Sequence, residues 1–126
     1  MHKVDIPLAV NPYSIYINDN ISTQFNEVFD RINSYNNIYI LTQKSIFDIF
    51  KEHRLLIDYP NTIFIAEEEV TKDLSVVNKI IHQLSLKGCT RDSLLVGFGG
   101  GAVTDIVGFI ASIYMRGIDH IFIPTT

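Results

Sequence analysis

The chain has 126 residues, 47% of them hydrophobic and 19% charged, with 7 Gly and 4 Pro. That is one domain with room for a core, too little for two domains around a cleft, and unlike disordered or collagen-like chains. With 10 Lys and Arg against 14 Asp and Glu, the net charge is −4, without the basic excess of a nucleic-acid binder.

The opening MHKVDIPLAV has no long apolar core and no A-x-A-like cleavage site, so no signal peptide is expected and the location read from it is cytoplasmic. Cys89 is a lone cysteine and points to no oxidising compartment. Val4–Val10 and Tyr13–Ile17 read as two short strands of an N-terminal β-hairpin, turned at Asn11-Pro12. Phe25, Val28, Phe29 and Ile32 follow at helical spacing, with Asn20 or Ser22 as N-cap. Ile38–Leu41 is a short apolar run ended by Thr42-Gln43, and Ser45 with Asp48 forms a capping box for a helix to about Glu52.

Thr62–Ala66 is the next strand-like run, followed by acidic Glu67-Glu68-Glu69. Leu74, Val77, Ile81 and Leu84 stripe a helix over Asp73–Lys87 that Gly88 stops. Leu94–Phe98 is a buried-type run, then come glycines, then an almost wholly apolar helix from about Ala102 to Met115, closed by Arg116-Gly117. Ile121–Ile123 begins one more strand before Pro124-Thr125-Thr126. Residues 94–115 are long enough to span a bilayer and hold one charge, Asp105. Four glycines in the first half and an acid near mid-membrane argue instead for strand, turn and buried helix, so no membrane partner is expected.

From residue 38 onward strands and helices alternate. Continuous apolar strands separated by helical crossovers give an α/β fold, a Rossmann-like parallel sheet with helices on both faces behind the N-terminal hairpin. Ligands bind such sheets at the C-terminal strand ends. Thr42-Gln43, Glu67–Lys72, Gly99–Asp105 and Thr125-Thr126 all fall there.

Gly97-Phe98-Gly99-Gly100-Gly101-Ala102 fits G-x-G-x-x-A between a strand and a helix, a turn that brings backbone amides to a phosphate. The acid that a standard dinucleotide fingerprint places about twenty residues on is missing at Pro124-Thr125-Thr126. The other reading of these glycines is close helix–strand packing. Asp105, read in the first turn of the following helix, is either an acid stabilised by the helix N-terminus by about 0.3–1 kcal/mol or a carboxylate aimed at a ligand hydroxyl. Glu69 and Lys72 bracket a helix start and read equally as a solvated charged turn. Arg116 either neutralises the helix C-terminus or clamps an anion, within one subunit or across a boundary. His2, His53, His82 and His120 show no metal-ligand spacing, the serines have no G-x-S-x-G context, and no GK[ST] follows the glycines.

Gly99-Gly100-Gly101-Ala102-Val103-Thr104-Asp105, Gly108-Phe109, Tyr114-Met115-Arg116-Gly117 and Pro124-Thr125-Thr126 closely resemble the GGGxxxDxxGFxAxxYxRG…PTT block of the 3-dehydroquinate synthase family. Glu69-Val70-Thr71-Lys72 resembles its G-E-x-x-K element, with Glu68 where the family has Gly, and Gln43 stands where the family often has Asp. The resemblance covers residues 60–126 strongly and the rest in element order. It implies a dehydroquinate synthase-like fold and an NAD- and metal-dependent lyase of the shikimate pathway, using zinc or cobalt, that converts DAHP to 3-dehydroquinate and phosphate. It also implies that Glu69, Lys72 and Asp105 hold the adenosine ribose region, and that Gly100, Gly101 and the amides of Ala102 and Val103 face the pyrophosphate. Thr125 and Thr126 touch the cofactor on this reading, and Arg116 approaches substrate phosphate, from a neighbouring subunit in one arrangement. The family's catalytic and metal-binding residues lie beyond PTT, so the resemblance places none in this chain. Residues 1–126 are then the truncated NAD-binding N-terminal domain, inactive alone, and a homodimer is expected because apolar edges and faces are left uncovered. Iron-dependent alcohol and glycerol dehydrogenases share the glycine-rich turn but have Lys where this chain has Gly108. Other sugar-phosphate cyclases and a non-catalytic, self-associating cofactor-binding module are the remaining alternatives.

Overall fold

The computed structural model describes residues 2–17, 26–67 and 73–126. Strands β1 (His2–Ile6) and β2 (Tyr13–Ile17) form the antiparallel hairpin. Helix α1 (Asn26–Asn33), β3 (Ile38–Thr42), α2 (Lys44–Phe50), α3 (Arg54–Asp58), β4 (Thr62–Phe64), α4 (Leu74–Leu86), β5 (Leu94–Gly99), α5 (Gly101–Ile113), a 3-10 turn (Tyr114–Arg116) and β6 (Asp119–Pro124) follow. The four later strands make one parallel sheet in the order β4-β3-β5-β6.

Successive side chains of a strand point to opposite faces, and both faces of this sheet are covered. On one face Tyr39, Leu41 and Leu95 pack with Val77, Ile80 and Leu84 of α4 and with Val103, Val107 and Ile110 of α5. On the other, Ile40, Val96 and Phe98 meet Phe29 and Ile32 of α1 and Leu55 and Leu56 of α3. Every residue of β5 is buried, which is why its sequence is an unbroken apolar run with glycines. Helix α4 starts at Asp73, whose carboxylate accepts from Ser75 N–H at 2.9 Å. It ends in a Schellman arrangement, with Cys89 N–H donating to Leu84 O, Gly88 N–H donating to Ser85 O, and Gly88 at φ 83°.

The hairpin, the parallel sheet and the two-sided helical cover are those expected. Several boundaries differ. β1 stops at Ile6 rather than Val10, because Pro7 has no N–H to donate to a ladder. Ser45 does not cap α2. Gln43 is the N-cap residue without a side-chain cap bond, and the Ser45 N–H is taken by Glu67 Oε1 at 3.2 Å. α3 was not expected; it is five residues long and is capped by the Nδ1 of His53, which accepts from Leu55 N–H. α5 begins one residue early, at Gly101, and gives way at Tyr114 to a tight turn whose Met115, Arg116 and Gly117 all have positive φ. Asn20, Ser22 and Phe25 lie outside the described residues.

Tyrosine hydroxyls fasten one end of the sheet. Tyr39 donates to Lys87 O at 2.9 Å, Tyr114 to Cys89 O at 2.8 Å, Tyr35 to Asp119 Oδ2 at 2.6 Å and Tyr59 to Asn33 Oδ1. Burial raises all four hydroxyls above the ordinary tyrosine value; Tyr35, with the Asp119 carboxylate adding to burial, is pushed up to about 12. A raised acid favours the folded state fully while the unfolded chain's tyrosines, near 10.0, remain protonated. The stability of the chain is therefore expected to hold up to that pH and to fall as pH rises from there toward 12. Urea midpoints across the alkaline range check this; a midpoint insensitive to pH there would remove the latches from the stability account.

Candidate functional site

The sheet order places a reversal between β3 and β5. From β3 the chain moves outward to β4, whereas from β5 it moves the other way to β6. Adjacent parallel strands whose connections leave in opposite directions open a crevice at their C-terminal ends, the general ligand position of such sheets. Thr42 ends β3 on one side of this crevice, and Gly99-Gly100-Gly101 turns from β5 into α5 on the other.

The glycines divide between the two roles open to them. A Cβ on Gly97 would come within 3.2 Å of Val107 Cβ, and one on Gly99 within 2.8 Å of Val103 Cγ2, so these two exist for helix–strand packing. A Cβ on Gly100 would lie 3.4 Å from the Thr126 side chain, while one on Gly101 would meet nothing within 4 Å. Gly100 and Gly101 therefore form the exposed lip of a cradle at the N-terminus of α5, a thirteen-residue helix whose first amides carry partial positive charge. The Val103 amide, expected to face the pyrophosphate, donates to Gly100 O at 3.1 Å, and its side chain is fully buried. The amides of Gly101 and Ala102 have no acceptor among the described residues.

Thr125 and Thr126 join the cradle from the end of β6. Thr125 N–H donates to Gly99 O at 2.9 Å, which pins the strand end to the glycine turn. The Thr125 hydroxyl is buried without a hydrogen-bond partner among the described residues, and so is that of Thr42 across the crevice. Buried hydroxyls normally find partners, and two orphans flanking one crevice fit a site shaped for a polar ligand. Asp105 is exposed on α5, but because the helix starts at Gly101 it lies beyond the first turn and not within it. Favourable interaction with the helix N-terminus falls off over that distance.

At the outer side of the crevice, Lys44, Phe64, Ile65, Ala66 and Glu67 line a cavity of about 620 Å³. Gln43 does not offer its amide to this space; its Nε2 donates to Ala66 O at 3.1 Å and ties β3 to β4. Lys44 pairs with Asp48 at 2.9 Å and lies over the rings of Phe47 and Phe64. Glu69 and Lys72 lie outside the described residues. Arg116 is not brought to the crevice. It sits past the C-terminus of α5, roughly 20 Å from the cradle by helix length. No group of three or more His, Cys, Asp or Glu among the described residues can hold a metal ion, and His53, with its pKa lowered by burial, is engaged as the α3 cap. No local pattern announces the capping of α2 by Glu67, which comes from a distant segment, or the burial of the Thr42 hydroxyl without a partner among the described residues.

A family model described as 3-dehydroquinate synthase N-terminal matches residues 62–126, more than half of the chain. The chain belongs to the 3-dehydroquinate synthase family. The 3-dehydroquinate synthase of Dictyoglomus turgidum is 40% identical over 127 aligned residues, an alignment that takes in 100% of this chain and 35% of the relative. The chain thus spans about a third of the length of the curated relatives it matches. A crystal structure of 2-deoxy-scyllo-inosose synthase superposes with a TM-score of 0.83 at 19% identity, covering 99% of this chain and 36% of that one, which shows a shared fold. The 2-epi-5-epi-valiolone synthase of Streptomyces hygroscopicus, solved with NAD+ and Zn2+ bound, superposes with a TM-score of 0.61 at 26% identity over 75% of this chain and 28% of its own. A Cβ on Gly108 would lie 3.1 Å from the ring of Phe122, so this glycine closes a contact between α5 and β6. Among the described residues no helix is long and apolar enough to cross a membrane.

Proposed function

We propose that this chain is the NAD-binding N-terminal domain of a cytoplasmic 3-dehydroquinate synthase, a lyase that turns DAHP into 3-dehydroquinate and phosphate. The observation that carries the reading is the open space over Gly101 at the start of α5, between the orphan hydroxyls of Thr42 and Thr125. Gly100 and Gly101 would hold the pyrophosphate of the dinucleotide, with the amides of Gly101 and Ala102 as its donors. Thr125 and Thr126 close over it from β6, and Asp105 accepts from a ribose hydroxyl. Glu69 and Lys72 complete the adenosine end by the family resemblance. The chemistry that bound NAD would supply there is reversible hydride acceptance. The part of this chain is to hold the cofactor, fix its orientation and keep water from its diphosphate. The described residues do not fit the family's divalent metal, so no step through a metal is assigned to them, and turnover belongs to the whole protein. That protein acts as a homodimer, in which Arg116, remote from the cradle of its own copy, serves substrate phosphate bound by the neighbouring one.

The test separates binding from folding. Gly101→Ala puts a methyl into open space at a helical position, where alanine is favoured over glycine by up to about 1 kcal/mol. The variant is expected to melt at or above the parent temperature and to lose NAD affinity in a calorimetric titration. Unchanged affinity would remove the cradle from the cofactor site.

A further inference from the structure

A glycine cradle holds a diphosphate, which NAD and NADP share, so it does not choose between them. They differ at the 2′ position of the adenosine ribose. In dinucleotide-binding sheets an acid at the end of the strand beside the glycine turn reads that position. Across the crevice from β5 that strand is β3, and the chain runs from Ile38 to Lys44 without an acid.

The fold delivers a carboxylate to this place from the next strand. Gln43 Nε2 donates to Ala66 O at 3.1 Å and draws the end of β4 against the end of β3. Glu67 follows, and its Oε1 accepts from Ser45 N–H at 3.2 Å. The carboxylate is thus fixed on the backbone two residues past Gln43. It stands in the wall of the 620 Å³ cavity, together with Phe64 and Lys44. Lys44, the cation of that wall, is balanced by Asp48 at 2.9 Å and lies over the rings of Phe47 and Phe64. The strands that lead to the cradle and to Glu67 are two strand spacings apart, about 9–10 Å. That is the span of a phosphate, one ribose and a hydrogen bond.

We propose that Glu67 selects the cofactor: its carboxylate accepts from the 2′-hydroxyl of NAD and excludes the 2′-phosphate of NADP. The proposal rests on the NAD-binding reading above and adds to it a residue and a selectivity. An ionised carboxylate only accepts, with capacity on both oxygens beyond the one bond from Ser45. A hydroxyl meets it with a donor in a charge-assisted bond. A phosphate dianion meets it with like charge and no donor, the kind of mismatch that rejects a wrong partner.

Calorimetric titrations of the chain with NAD and with NADP test this. The parent is expected to bind NADP at least about tenfold more weakly than NAD. Glu67→Gln keeps an oxygen for the Ser45 amide and loses the charge. It is expected to melt with the parent, to bind NAD several-fold more weakly and to lose the preference for NAD over NADP. Glu67→Lys is expected to turn that preference toward NADP; if its circular dichroism departs from the parent's, Glu67→Gln carries the test. Gly101→Ala, which acts on the shared diphosphate, is expected to weaken both cofactors and leave their ratio unchanged. A parent that binds neither cofactor would overturn the NAD-binding reading, and this inference with it. A parent that binds both equally, or a Glu67→Gln variant with the parent's preference, would overturn the inference alone and leave Glu67 as the cap of α2.

Discussion

Gly99→Ala is expected to cost about 1–3 kcal/mol of stability, the range for overpacking a closed core site. The new methyl would stand 2.8 Å from Val103 Cγ2 and 3.0 Å from Val103 Cβ. Val103 is fully buried on α5 and, being β-branched, has no alternative rotamer to retreat into. Relief comes only by pushing the first turn of α5 away from β5, which also tilts the Gly101 and Ala102 amides out of line. Stability and NAD affinity should thus fall together, whereas Gly101→Ala lowers affinity alone. Denaturant midpoints and a cofactor titration on the same samples check both. A Gly99→Ala midpoint equal to the parent's would mean that the helix–strand contact is looser than its geometry.

Asp105→Ala is expected to weaken NAD binding by roughly ten- to a hundred-fold. A hydrogen bond from a ribose hydroxyl to a carboxylate contributes about 1.5–3 kcal/mol, and each 1.4 kcal/mol is about tenfold in affinity. Because Asp105 stands beyond the first turn of α5, the loss of stability should be at or below the lower end of the about 0.3–1 kcal/mol given by a first-turn acid. Titration with NAD beside a thermal melt separates the two effects. Equal affinity in parent and variant, with a lowered melting temperature, would leave Asp105 as a structural acid.

Local pattern was enough for the parallel sheet, the glycine turn and both ends of α4. Asp73 and Gly88 act through bonds to residues at most five positions away, and the apolar run of β5 needs no partner to be read. The glycine turn was legible because one segment supplies it, at Gly99, Gly100 and Gly101. The site was not legible where distant segments cooperate. Gln43 invites comparison with an acid that binds cofactor, but its amide is occupied by Ala66. Ser45 has the spacing of a capping box, yet the cap arrives from Glu67. Spacing along α5 does not reveal that Arg116 and Gly101 lie at opposite ends of one helix, because a sequence motif compresses distance that the helix restores.

All four tyrosine latches lie at the end of the sheet where the strands begin, and both orphan threonine hydroxyls lie where the strands finish. Anchorage and ligand recognition are thereby assigned to opposite poles. An engineer seeking a hardier domain can rework the tyrosine pole without touching the cradle proposed to hold the cofactor. Natural drift at that pole can likewise alter durability while leaving the crevice untouched.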